Sequence, residues 1–183
     1  VNNVETLIAA AHIIVQGSAW FKAVGTEESS GTKILSVSGD CQLPGIYEYP
    51  FGVRVQQVLD DCHAHNVQAV QIGGPAGKMI GAADFNRAIG FEDLSTGGSF
   101  LIYGQHRDLL AVHRNFAHFF AHESCGFCTP CRVGTQLLKI NLDKIAQGRG
   151  TAQDITEIKQ LSHLIRHHSH CGLGYTAANH VLD

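Results

Sequence analysis

Apolar side chains recur at helical spacing over residues 4–15 (VETLIAAAHIIV), which predicts a helix. Asn2 and Asn3 stand where an N-cap is expected, with Glu5 and Thr6 in the first turn. Residues 25–31 (GTEESSG) are small and polar and read as a linker or loop. From Lys33 the pattern changes: residues 33–38 predict a strand, and residues 46–48 a second, short one. Residues 55–62 predict a short helix with Val55, Val58, Leu59 and Cys62 on one face. Strands follow at 67–72 and 99–103, the first ending in Gly73-Gly74-Pro75. Strand, strand, helix, strand, strand makes a small α+β unit.

Past Gly104 the helical period takes over. A stripe of Leu109, Val112, Phe116, Phe119 and Phe120 predicts a helix over 108–122. A second runs from about 130 to 146 and ends at Gly148 and Gly150. A third starts at Thr151, where Thr151 and Asp154 form a variant capping box ahead of Ile155, Ile158, Leu161, Leu164 and Ile165. Thr176 is a candidate cap for a fourth, running to the end at Asp183. Short loops between such helices imply an antiparallel bundle. The fold class is therefore α+β: a small strand-rich domain followed by a helical bundle.

Composition narrows the function classes. The 183 residues carry 44% hydrophobic and 16% charged side chains, which excludes a disordered chain. No apolar run is long enough for a transmembrane helix, so no direct membrane insertion is expected. With a net charge of −3 and scattered Lys and Arg, the chain is a poor nucleic-acid binder. It starts at Val1, and its only Met is Met79, so a processed product or a piece of a longer protein is expected. No signal-peptide pattern precedes it.

Six cysteines are spread unevenly, with Cys125, Cys128 and Cys131 inside seven residues. That clustering argues against a disulfide framework and for thiolates held for a metal in a reducing compartment. A C-x2-C-x2-C run suits three corners of an iron–sulfur cube, which takes four thiolates in all. The only downstream candidate for the fourth is Cys171, after two predicted helices that would form a hairpin returning the chain to its start. Thr129-Pro130 puts a cap and an N1 proline just before Cys131, setting the cluster against the positive pole of a helix. A zinc site is the rival reading, with His167, His168 or His170 completing the ligand set. Cys41 and Cys62 read as inert, partly buried thiols, and the histidines of HHSHC (167–171) as a solvated helix end. Gly73-Gly74-Pro75-Ala76-Gly77-Lys78 fails as a phosphate loop: the spacing is wrong, and Met79 stands where Ser or Thr must hold magnesium.

ESCGFCTPCR (123–132) with the distant Cys-Gly-Leu-Gly (171–174) resembles the C-terminal part of the NADH-oxidising, FMN-carrying subunit of respiratory complex I. Relatives in that family include the diaphorase subunit of NAD-reducing hydrogenases and the beta subunit of NAD-dependent formate dehydrogenases. The opening VNNVETL (1–7) is similar to the family as well, while Phe127 and SHCGLG (169–174) resemble the hydrogenase and formate dehydrogenase branch. The resemblance implies three parts: residues 1–25 as the tail of a truncated flavin domain, 32–104 as a soluble-ligand-binding β-grasp domain, and 105–183 as a helical bundle holding a [4Fe–4S] cluster. It implies that Cys125, Cys128, Cys131 and Cys171 ligate the cluster and that Asn2, Asn3 and Thr6 line an incomplete FMN site. The implied role is electron transfer from FMN through the cluster to partner iron–sulfur subunits, in the cytoplasm. FMN and NAD(H) would bind in the full-length parent, on an upstream domain of the same protein. The glycine-rich FMN and NADH segment is absent here, so this chain alone is expected not to oxidise NADH. The alternative is a ligand- or partner-binding β-grasp module with a structural zinc bundle.

Overall fold

The structure is a computed structural model that describes residues 2–182; the predicted helix end at Asp183 and the first residue of VNNVETL lie outside the described residues. Helix α1 (Val4–Gln16) is followed by the short α2 (Ser18–Lys22). Five strands follow: β1 (Thr32–Gly39), β2 (Gly45–Pro50), β3 (Val67–Ile72), β4 (Lys78–Gly81) and β5 (Ser99–Gly104), with α3 (Val55–Asp61) between β2 and β3. They form one mixed sheet in the order β2-β1-β5-β3-β4. The central pair, β1 and β5, is parallel, and every other neighbour is antiparallel.

Alternation along the strands assigns the two faces. Leu35, Val37, Val70, Ile72, Phe100 and Ile102 pack with Val55, Val58, Leu59 and Cys62 of the α3 segment. The opposite face of β3 and β5 presents Ala69 and Tyr103, which pack with Met79 and with Phe116 of α4 (Leu109–Glu123). Strand β4 is absent from the sequence reading. It is a four-residue edge strand with Met79 and Ile80 both buried, so no period-2 alternation marks it.

Helices α4, α5 (Thr129–Ala146) and α6 (Ala152–His168) pack in chain order, α4 on α5 and α5 on α6. Their side-chain pairings run in opposite directions. Gln136 reaches the Ala121 carbonyl while Arg114 reaches Asp143; Gly134 meets Ile165 while Lys144 meets Asp154. The capping box at Thr151 forms as expected: Asp154 Oδ2 accepts from the Thr151 N–H at 2.7 Å, and the Asp154 N–H donates to Thr151 Oγ1. Lys144 adds an ion pair at 2.7 Å, and these donors together hold the Asp154 carboxyl down at about 2.

Several expectations need correction. Cys128, not Thr129, is the N-cap of α5, and Pro130 falls on the second helical residue. Thr176 caps nothing at a helix start. It closes the five-residue α7 (Gly172–Thr176), where its hydroxyl donates back to the Gly172 carbonyl at 2.8 Å. A 3₁₀ turn (Asn179–Val181) follows, and Asn179 Nδ2 donates to the Ala76 carbonyl at 2.9 Å, tying the chain end to the sheet. The 25–31 stretch is a tied loop rather than a free linker: Ser29 is fully buried, and the Thr26 and Ser29 hydroxyls both donate to Glu92.

Candidate metal centre

The loop 124–128 joins α4 to α5, and the segment 169–171 joins α6 to α7. Because α5 and α6 are antiparallel and similar in length, 18 and 17 residues, both junctions fall at the same end of the helices. Gly134 enforces the close crossing. A methyl there would lie 2.4 Å from Ile165 Cγ1. Gly174 does the same for α7, where an added Cβ would sit 2.3 Å from Ser169 Cβ and 3.5 Å from Cys131 Cβ.

The two junctions touch directly. The His170 N–H donates to Cys128 Sγ at 3.4 Å, and the rings of Phe127 and His170 meet edge to face with centroids 5.7 Å apart. Within the first loop, Ser124 Oγ lies 3.5 Å from Cys131 Sγ and accepts from the Gly126 N–H at 3.4 Å. Arg132 spans the loop from α5, with Nη1 donating to the Gly126 carbonyl and Nη2 to Thr129 Oγ1 at 3.4 Å. Gly126 takes φ +81°, a left-handed conformation that favours glycine. Cys131 is buried, Cys128 half-buried, and Cys125 and Cys171 exposed.

Cys128 and Cys131 thus meet the neighbours of Cys171 and Cys125, which brings the four cysteines to one end of the helices. Among the described residues, no three His, Cys, Asp or Glu side chains gather tightly enough to hold one metal ion. A single tetrahedral zinc with Zn–S bonds near 2.3 Å draws its sulfurs to roughly 3.8 Å of one another. A cubane spreads four thiolates over separate irons. The His170 N–H aimed at Cys128 Sγ and the Ser124 hydroxyl beside Cys131 Sγ also suit a thiolate cluster, whose electronics depend on such contacts.

Other candidates stand apart. Asn3 caps α1, its Oδ1 accepting from the Glu5 N–H at 3.0 Å, and Asn2 and Thr6 are exposed beside it. Cys41 and Cys62 lie together in the sheet core, where burial, then Cys41, pushes the Cys62 thiol up to about 11. The His167 and His163 rings lie against each other on α6, tilted by 36° with centroids 4.3 Å apart. The sequence reading missed Ser124, Arg132, Gly134 and Gly174. The flanks of the cysteine run and a glycine one turn past Cys131 were the available signals.

Residues 111–183 match the family described as the NADH-ubiquinone oxidoreductase-F iron–sulfur binding region. The whole chain is 43% identical to the alpha subunit of the NAD-reducing hydrogenase HoxS of Cupriavidus necator, covering 30% of that protein. It is 36% identical to the NADP-reducing hydrogenase subunit HndC of Solidesulfovibrio fructosivorans, covering 40% of it. Over 97% of its length it is 33% identical to an NADH-quinone oxidoreductase subunit of Rhizobium meliloti, covering 45% of it. The chain thus spans less than half the length of these curated relatives. A crystal structure of an NAD+-reducing [NiFe]-hydrogenase in the H2-reduced state superposes with a TM-score of 0.96 at 44% identity, covering all of this chain and 32% of that one.

Proposed function

We propose, from the match of residues 111–183 to the NADH-ubiquinone oxidoreductase-F iron–sulfur binding family, that the chain is the electron-relay section of an NADH-dependent oxidoreductase. Cys125, Cys128, Cys131 and Cys171 would hold a [4Fe–4S] cluster. The observation that carries this reading is the junction between the two cysteine segments, where the His170 N–H donates to Cys128 Sγ. When bound, the cluster supplies one-electron redox chemistry, and the chain's share is to bury Cys131, orient the thiols and aim donors at sulfur.

Residues 32–104 would be the β-grasp domain. The reading is supported by a mixed sheet whose parallel central pair is flanked by antiparallel strands, with α3 packed across it. Residues 105–183 would be the cluster-bearing bundle. Residues 1–25 would close an upstream FMN- and NADH-binding domain of the same protein. Helix α1 supports this: none of its residues is buried, and Val4, Leu7, Ile8, Ile14 and Val15 face solvent. Asn2, Asn3 and Thr6 at its start would contribute to the FMN site, although Asn3 already serves as the N-cap. Partner iron–sulfur subunits would take the electrons from the exposed face around Phe127, which is 78% exposed. Among the described residues no helix is long and apolar enough to cross a membrane. The site of action would be the cytoplasm. The zinc alternative has no match of that kind behind it, since the family matched by residues 111–183 is an iron–sulfur binding region.

Anaerobic reconstitution with iron and sulfide, followed by reduction and EPR, tests the proposal. A signal of a reduced [4Fe–4S] cluster is expected; a chain that takes up zinc and no sulfide would overturn it.

A further inference from the structure

Metal-bound cysteine sulfur is a thiolate, which accepts hydrogen bonds and has no proton to donate. With a metal on Cys131, the contact between Ser124 Oγ and Cys131 Sγ runs from the hydroxyl to the sulfur. The Gly126 N–H already donates to Ser124 Oγ, so the oxygen serves there as acceptor and its own hydrogen is left for Cys131. The partner on the far side is Arg132. Its Nη1 donates to the Gly126 carbonyl and its Nη2 to Thr129 Oγ1, which pins Gly126 in its left-handed conformation and so aims the Gly126 N–H at Ser124.

Of the four cysteines only Cys131 is buried, and low local polarity strengthens a hydrogen bond made there. Cys128 also receives a donor, but it is the backbone N–H of His170. Ser124 is the side-chain donor given to a cysteine of the set by the described contacts. Adding one electron adds one negative charge, shared between cluster and thiolates, so a donor on sulfur favours the reduced state and raises the potential.

Resting on the cluster reading above, we propose that Ser124 tunes the reduction potential of the cluster through Cys131 Sγ and that Arg132 is the positioning residue that holds Ser124 to that task. The tuning is built into the ESCGFCTPCR segment itself: Gly126 provides the turn, Arg132 fixes it, and Ser124 donates a hydrogen bond to sulfur while keeping its proton.

The test is an anaerobic, EPR-monitored redox titration of the 183-residue chain with its cluster, in wild type, Ser124→Ala, Ser124→Thr and Arg132→Gln. Ser124→Ala is expected to lower the midpoint potential at unchanged iron content, Ser124→Thr to restore it, and Arg132→Gln to lower it by a smaller amount. A Ser124→Ala chain with full iron and an unchanged or higher midpoint overturns the proposal. Where Ser124→Ala fails to keep its iron, Arg132→Gln decides, because it leaves the hydroxyl in place: an unchanged midpoint there overturns the proposal as well. Wild-type chain with no iron–sulfur signal on reduction sinks the cluster reading itself, before any variant is compared.

Discussion

Replacing Gly134 with alanine puts a methyl group where α5 and α6 touch. Its Cβ would lie 2.4 Å from Cγ1 and 2.7 Å from Cδ1 of Ile165, a fully buried side chain. Carbon atoms rest about 3.5–4.0 Å apart, so roughly 1 Å of separation must be created. At its far end α6 is held by the Lys144–Asp154 ion pair and the Thr151 capping box, so the helices part where Cys131 and Cys171 stand. Overpacking of this kind costs about 1–3 kcal/mol. Exchanging a helical glycine for alanine returns about 1 kcal/mol. The net expectation is a loss of about 0–2 kcal/mol. Ile165→Ala alone should cost about 2–5 kcal/mol through the cavity it leaves. In that background the methyl at position 134 meets open space, and Gly134→Ala should change sign and stabilise by about 1 kcal/mol. Urea denaturation followed by far-ultraviolet circular dichroism, with all four chains in one metal state, measures the cycle. The same stability change from Gly134→Ala in both backgrounds would refute the reasoning.

Three further outcomes are expected. In the native chain Cys62 should resist iodoacetamide near neutral pH and react only as the pH approaches its raised value of about 11, with Cys41 modified first; prompt labelling of Cys62, mapped by mass spectrometry, would contradict its burial. His180 is buried against Phe120, Phe116 and His113, and desolvation, then His113, lowers its pKa to about 4. The unfolded chain therefore takes up this proton first, and stability should fall as pH drops from about 6.5 toward 4. His180→Phe should flatten that slope in denaturation curves; an equally steep slope in the variant would remove His180 as its cause. Finally, the chain alone should show no micromolar FMN affinity by fluorescence titration, because Asn2, Asn3 and Thr6 sit exposed at the start of α1; tight binding would mean that these residues belong to a complete site.

Periodicity made the long elements legible. The stripe from Leu109 to Phe120 and the Thr151–Asp154 box name α4 and the start of α6 without any knowledge of packing. Strand β4 escaped because its short run has no alternation to read: Met79 and Ile80 are both buried, against different faces of the sheet. Thr176 misled because a threonine just ahead of Ala177-Ala178 looks like a helix start, while in the fold its hydroxyl returns to Gly172. Among the cysteines, spacing identified the candidate set, including the distant Cys171. The contacts that join the two segments were not legible, since the His170 N–H and Ser124 Oγ acquire sulfur partners only once the chain has closed. Gly134 and Gly174 matter through what lies across from them, Ile165 and Ser169, which no local pattern reports.

The most direct measurement of the central claim is iron and acid-labile sulfide per chain after anaerobic purification, compared between wild type, Cys171→Ala and Cys41→Ala. Four thiolates on a cubane predict about four of each in wild type and in Cys41→Ala, and a three-iron or empty site in Cys171→Ala. Full four-iron occupancy in Cys171→Ala, or a single zinc with no sulfide in wild type, would contradict the account.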